Sequence, residues 1–75
     1  MFEKIKAILT GSFSLNPDDI QRDSKLEADL GINSLELAEL ALRCDEEFGV
    51  EIEDEDIYKL ITVGDVADYV ESKQG

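Results

Sequence analysis

The sequence predicts an all-α fold: a small four-helix bundle with three main helices, one short third helix, and a long loop between helices 1 and 2. Three observations lead there. Apolar residues recur at three- and four-residue intervals in separate stretches. Turn and cap signatures stand between those stretches. Nothing is repetitive, low in complexity or strand-like over a useful length. The 75 residues suit one domain, spanning 1–75, and a chain of this size withdraws little more than half of its unfolded surface from water. Such a core holds a short bundle but leaves no room for a deep enclosed active site.

Phe2, Ile5, Ile8 and Leu9 fall at helical spacing with Glu3, Lys4 and Lys6 opposite, which predicts a first helix over about residues 2–12. It fades at Gly11 and Ser14, with Phe13 and Leu15 turned inward. Asn16-Pro17-Asp18-Asp19 is a turn signature, because proline sets φ while Asn and Asp bond their own backbone. Ile20, Leu26 and Leu30 are isolated apolar residues in a polar connection. A connection of about 20 residues is unusual inside a small domain and is more often functional than idle. These three residues are expected to pin it to the core.

The connection ends in Asp29-Leu30-Gly31-Ile32-Asn33-Ser34-Leu35-Glu36-Leu37. Gly31 permits a backbone conformation that residues with a Cβ avoid. Asn33 or Ser34 caps the second helix, and Glu36 three residues after Asn33 completes a capping-box spacing. The Ser34 hydroxyl therefore lies in or beside the first turn, where free N–H groups and the helix dipole favour an anion. By itself this is also what a plain cap looks like.

The second helix should run from residue 34 to 48 or 49, with Leu37, Leu40, Ala41, Cys44 and Phe48 as its core stripe. Leu35, Ala38 and Leu42 form a second stripe interleaved with Glu36, Glu39, Asp45 and Glu46. Either that stripe widens the core, or it is a contact surface of apolar knobs ringed by acid. Gly49 suits a helix C-terminus, and Val50-Glu51-Ile52 reads as a short extended connection with Ile52 inward. Glu53-Asp54-Glu55-Asp56 leads into Ile57, Tyr58 and Leu60, a short third helix with acids in its dipole-favoured first turn. Those acids do not match a calcium loop, which needs ligands at alternate positions and a central glycine. Thr62 and Asp65 cap a fourth helix whose inward side is Val66, Ala67, Tyr69 and Val70.

Seven basic residues against 19 acidic ones give a net charge of −12. Phosphates of nucleic acid and anionic membrane surfaces would be repelled, and partners with basic patches attracted. There is no histidine and a single cysteine, Cys44, so neither a histidine base, a disulfide within the chain nor a cysteine metal cluster is available. No apolar run approaches the roughly 20 residues that span a bilayer. The start at Met1 lacks a signal-peptide hydrophobic region, which makes a cytoplasmic location the expectation; a monomer is expected as well. With no base for Ser34, no Gly-x-Ser-x-Gly elbow and no phosphate loop, no catalytic residue and no metal site is expected. Ser34 remains as an acceptor of chemistry performed by another protein.

At this point the sequence resembles the acyl carrier protein family, the phosphopantetheine-bearing carriers of fatty-acid and polyketide synthesis. Asp29-Leu30-Gly31-Ile32-Asn33-Ser34-Leu35 is similar to the family's Asp-Leu-Gly-x-Asp-Ser-Leu signature. The likeness continues through Glu39-Leu40, Glu46-Glu47-Phe48-Gly49, Glu51-Ile52, Asp54-Glu55 and Thr62-Val63-Gly64-Asp65-Val66, and so covers essentially the whole chain. The resemblance implies that Ser34 receives 4′-phosphopantetheine from coenzyme A through a phosphopantetheinyl transferase. The chain would then be a non-catalytic carrier serving acyl-transfer and synthase enzymes that have basic docking patches. It further implies a recognition helix in which Asn33, Leu35, Glu36, Ala38, Glu39, Leu42, Asp45 and Glu46 meet partners. An acyl chain would shelter among residues such as Leu40, Ala41, Ile57 and Leu60.

One departure is plain. Asn33 stands where the family usually has Asp, which removes a negative charge beside the modification site and points to a specialised member. Ala38 and Ala41 are smaller than the branched residues expected there, in keeping with altered partners or a larger acyl cavity. Two alternatives stay open on the residues alone: an unmodified acidic adaptor of the same fold, and an aminoacyl carrier.

Overall fold

The computed structural model describes residues 1–74; Gly75 lies outside the described residues. Its elements in order are α1 (Phe2–Phe13), a 3-10 turn (Pro17–Asp19), α2 (Ser34–Phe48), α3 (Asp54–Ile57) and α4 (Val63–Gln74). The helical bundle has α1 packed on both α4 and α2, with α3 and α4 also against α2. Ile5 and Leu9 of α1, Leu40 and Cys44 of α2, and Val66 and Val70 of α4 meet in its buried centre. Among the described residues no helix is long and apolar enough to cross a membrane.

The helices follow from local chemistry with a few differences. α1 extends one residue beyond its expected end, because Ser14, and not a glycine, takes the left-handed conformation (φ 57°) that closes it. In α2 only Leu37, Leu40 and Cys44 are fully buried, while Ala41 and Phe48 are half-buried at the edge of the stripe. α3 is a single turn made of the acids themselves, ending at Ile57. Tyr58 and Lys59 form the following turn, with the Lys59 and Leu60 amides donating to the Asp56 and Ile57 carbonyls. Tyr58 consequently faces outward at 75% exposure. The third helix, expected to take in Tyr58 and Leu60, thus ends at Ile57, and Ile57 and Leu60 are buried while Tyr58 is not. α4 starts with the expected reciprocal cap: the Asp65 amide donates to Thr62 Oγ1 and the Thr62 amide to Asp65 Oδ2, both at 3.1 Å.

The long connection is held down more firmly than three apolar pins would achieve. Ile20 and Leu26 are buried as expected and Leu30 is half-buried, but Ile32 is also buried. Between Arg22 and Leu26 the chain pairs with the Ile61–Gly64 segment. The Leu26 amide donates to the Ile61 carbonyl (2.9 Å), the Val63 amide to Ser24 (3.0 Å) and the Gly64 amide to Arg22 (2.8 Å). An isolated antiparallel bridge joins Lys25 and Thr62 within this run. Ser24 is buried, and its hydroxyl accepts from the Gln21 amide and donates to the Asp19 carbonyl, so burial leaves it satisfied. The Arg22 guanidinium adds a contact to Asp68 of α4 at 2.8 Å.

A second tie joins α3 to α4. The Tyr69 hydroxyl donates to Asp56 Oδ2 at 2.8 Å, which holds the Asp56 carboxyl below its ordinary value and raises that of the phenol. The depressed carboxyl contributes stability above the ordinary carboxylate range and loses it as the pH falls through its folded value. The raised phenol contributes below the ordinary tyrosine value and loses it as the pH rises through the folded one.

Gly64 makes the pairing of the loop with α4 possible. A Cβ there would fall 2.9 Å from the Arg22 carbonyl oxygen, a backbone atom that cannot turn aside. Gly64→Ala should therefore push the loop off α4 and destabilise the protein by about 1–3 kcal/mol in urea unfolding, the usual cost of overpacking. An unchanged midpoint would show that the loop moves away freely.

Candidate functional site

The site is the junction of the loop with α2. Gly31 has φ 71°, the left-handed region that a residue with a Cβ enters only with strain. Around it the chain is folded on itself: the Asp29 carboxylate accepts from the Lys25 amide (2.8 Å), and the Ile32 amide donates to the Leu26 carbonyl (2.8 Å). Buried Ile32 then anchors the last residue before the cap. These contacts deliver the chain to Asn33 in an extended conformation, φ −86° and ψ 177°.

Asn33 is the cap, and Ser34 is the first residue of α2. The Glu36 amide donates to Asn33 Oδ1 at 2.8 Å, and the Asn33 amide donates to Glu36 Oε1 at 3.3 Å. This box satisfies two of the four amides that a helix start leaves without partners. The other two belong to Ser34 and Leu35. Ser34 is exposed, and its hydroxyl makes no hydrogen bond among the described residues. The result is an accessible oxygen beside two free N–H groups at the positive end of a 15-residue helix.

The face that continues from Ser34 along α2 is exposed and apolar at its centre. Leu35 is 81% and Leu42 55% exposed, and Ala38 between them is also exposed. Of the two readings of this stripe, widening of the core is excluded for these three residues. The acids around it differ in availability. Glu36 is turned back to the cap. Glu39 and Glu46 both pair with Arg43, at 3.6 and 3.4 Å. Asp45 is exposed and makes no ion pair among the described residues. Cys44, on the opposite side of α2, is fully buried, and burial pushes its thiol up to about 11, so it stays protonated and inert near neutrality.

The four residues expected to shelter an acyl chain do not enclose one common cavity. Leu40 is 1% exposed and packs in the core. Leu60 instead helps to line a groove of about 260 Å³ with Leu37, Ala28, Lys25, Tyr58 and Ile61. Ala41 and Ile57 border a separate, shallower depression beside Ala38 and Leu42. In a well-packed small core these openings lie at the surface, between elements, and the interior is filled by side chains. Sequence reasoning passed over Arg43, exposed Tyr58, and Ile61 at 53% exposure. The signal for Arg43 was present, since it is three residues from Glu46 and four from Glu39; nothing in the pattern revealed that Tyr58 and Ile61 face out.

The family described as "Phosphopantetheine attachment site" matches residues 3–70. The chain is 38% identical over 74 residues to the acyl carrier protein of Wolinella succinogenes, covering 99% of this chain and 97% of that one. It is 37% identical over 75 residues to the acyl carrier protein of Thermotoga maritima, covering 100% and 93%. A solved structure of the acyl carrier protein from Enterococcus faecalis superposes with a TM-score of 0.80 at 33% identity, covering 96% of this chain and 91% of that one.

The cap carries a direct test. Asn33→Ala should cost about 1 kcal/mol of stability in chemical denaturation, whereas Asn33→Asp, an equally good cap, should leave it nearly unchanged. Equal stability of all three proteins would show that the box adds nothing to the helix start.

Proposed function

The chain belongs to the acyl carrier protein family, and on that premise we propose that Ser34 is the attachment point of its 4′-phosphopantetheine. When bound, the group supplies a terminal thiol that holds acyl intermediates as thioesters on a long arm. The remaining work is done by this chain's residues. Ser34 offers an exposed oxygen that makes no hydrogen bond among the described residues. The free amides of Ser34 and Leu35 and the helix dipole favour the phosphodiester anion on that oxygen. Asn33 and Glu36 keep the helix start closed, and Gly31 and Ile32 fix the approach of the loop.

Leu35, Ala38 and Leu42 form the docking centre for partner enzymes, with Glu39, Asp45 and Glu46 supplying charge around it. The partners are a phosphopantetheinyl transferase, which installs the group from coenzyme A, and the acyl-transfer and synthase enzymes of fatty-acid, polyketide or related synthesis. Their basic patches suit a protein of net charge −12. The chain itself is not an enzyme. It works as one domain and one copy in the cytoplasm, with its cargo presented to active sites elsewhere.

The observation that carries this reading is the unbonded, exposed Ser34 hydroxyl beside two free amides at the start of α2. Incubation with coenzyme A and a broad-specificity transferase should add one phosphopantetheine to the intact mass, and Ser34→Ala should abolish the addition. A persistent addition in Ser34→Ala would place the group on another residue. No addition with several transferases would contradict the carrier role.

A further inference from the structure

We propose that Arg43 is an intramolecular competitor on the docking face, which selects partners whose basic patch also brings a carboxylate. The inference rests on the carrier reading, because it concerns how partner enzymes reach α2. Arg43 is the single basic residue of α2, among five acids: Glu36, Glu39, Asp45, Glu46 and Glu47. Its Nη2 lies 3.6 Å from Glu39 Oε1, one turn back, and its Nη1 lies 3.4 Å from Glu46 Oε2, one turn on. At about 100° of rotation per residue, Leu35 and Leu42 share the centre of the exposed face, Glu39 and Glu46 flank them on one side, and Arg43 stands directly behind those two acids. The carboxylates best placed to greet a partner's cations are thus already engaged.

Each of these exposed pairs is weak, so a partner's Lys or Arg can displace the guanidinium. Displacement leaves a cation facing incoming cations, and like charges brought together at an interface are unfavourable. A patch made only of Lys and Arg therefore meets opposition at Arg43. A patch that adds a carboxylate does not. The Arg43 Nε is shielded from solvent and has no acceptor among the described residues, so the two ion pairs do not satisfy that donor. Once displaced from Glu39 and Glu46, the guanidinium can turn outward and give two parallel N–H bonds to a partner's carboxylate. Discrimination then comes from a repulsive element on the face as well as from attraction.

The test uses the full chain, coenzyme A and a transferase whose docking patch is uninterruptedly basic. KM and kcat for modification are read by intact mass for the natural sequence, Arg43→Gln, Glu39→Gln and the double variant. Lys4→Gln on α1 serves as a control with the same charge change, and circular dichroism confirms equal helical content. Arg43→Gln should lower KM about threefold without changing kcat, and by more than Lys4→Gln does. Glu39→Gln should raise KM at least about twofold more in the Arg43→Gln background than alone, because only there is Glu39 released. An equal effect of Glu39→Gln in both backgrounds, or an Arg43→Gln effect no larger than that of Lys4→Gln, overturns the inference and leaves the carrier reading intact. Absence of modification in every variant overturns the carrier reading and the inference with it.

Discussion

The pairing of the Arg22–Leu26 segment with the Ile61–Gly64 segment is the constraint on which the rest of the protein depends. Three backbone hydrogen bonds of 2.8–3.0 Å tie the long loop to the start of α4, and they bury Leu26 under the junction. From Leu26 a further bond reaches Ile32, whose burial sets the chain direction one residue before the cap. Ser34 is therefore positioned from two sides, by its own helix and by the distant start of α4. Without that tie, a loop of about 20 residues would leave the helix start as one conformer among many, since ordering each backbone residue costs about 1–2 kcal/mol.

With the loop fixed, α2 divides its circumference among three tasks. Leu37, Leu40 and Cys44 are committed to the core. The first turn is committed to the cap, which engages Asn33 and Glu36 and leaves Ser34 exposed. The remaining face, Leu35, Ala38 and Leu42, stays uncovered because, among the described residues, no further element lies over it. An exposed apolar stripe on a small, highly charged chain is the pattern of an interaction surface. The acids around it give that surface a negative field, of the kind that favours cationic partners in general. Arg43 pairs with Glu39 and Glu46 on one side of the stripe, while Asp45 on the other side makes no ion pair among the described residues.

Much of this was legible in the residues, and the reasons are physical. The helices α1, α2 and α4 were readable because each is long enough for a 3.6-residue period to show, and the caps at Asn33 and Thr62 because their side chains act within three residues. The positive φ of Gly31 was likewise a local matter. The tie between Arg22 and Gly64 was not readable, since it joins residues some 40 positions apart through backbone atoms and leaves no side-chain pattern; Gly64 looked like an ordinary residue of a helix start. Ile32 gave no sign of burial, being a lone apolar residue between Gly31 and Asn33. The orientations of Tyr58 and Ile61 follow from how α3 ends, and four residues carry too little periodicity to announce that. At the site itself, Ser34 and the apolar stripe were identifiable, whereas the engagement of Glu39 and Glu46 by Arg43 required the side chains in place.

Native-state hydrogen exchange measures the central dependence most directly. The amides of Leu26, Val63 and Gly64 are expected to exchange only through openings as costly as the one that releases the amide of buried Cys44 in α2, because loop, α4 and core open together. Exchange of those three amides through an opening far cheaper than that of Cys44 would contradict this, and would mean that Ser34 is held by its own helix alone.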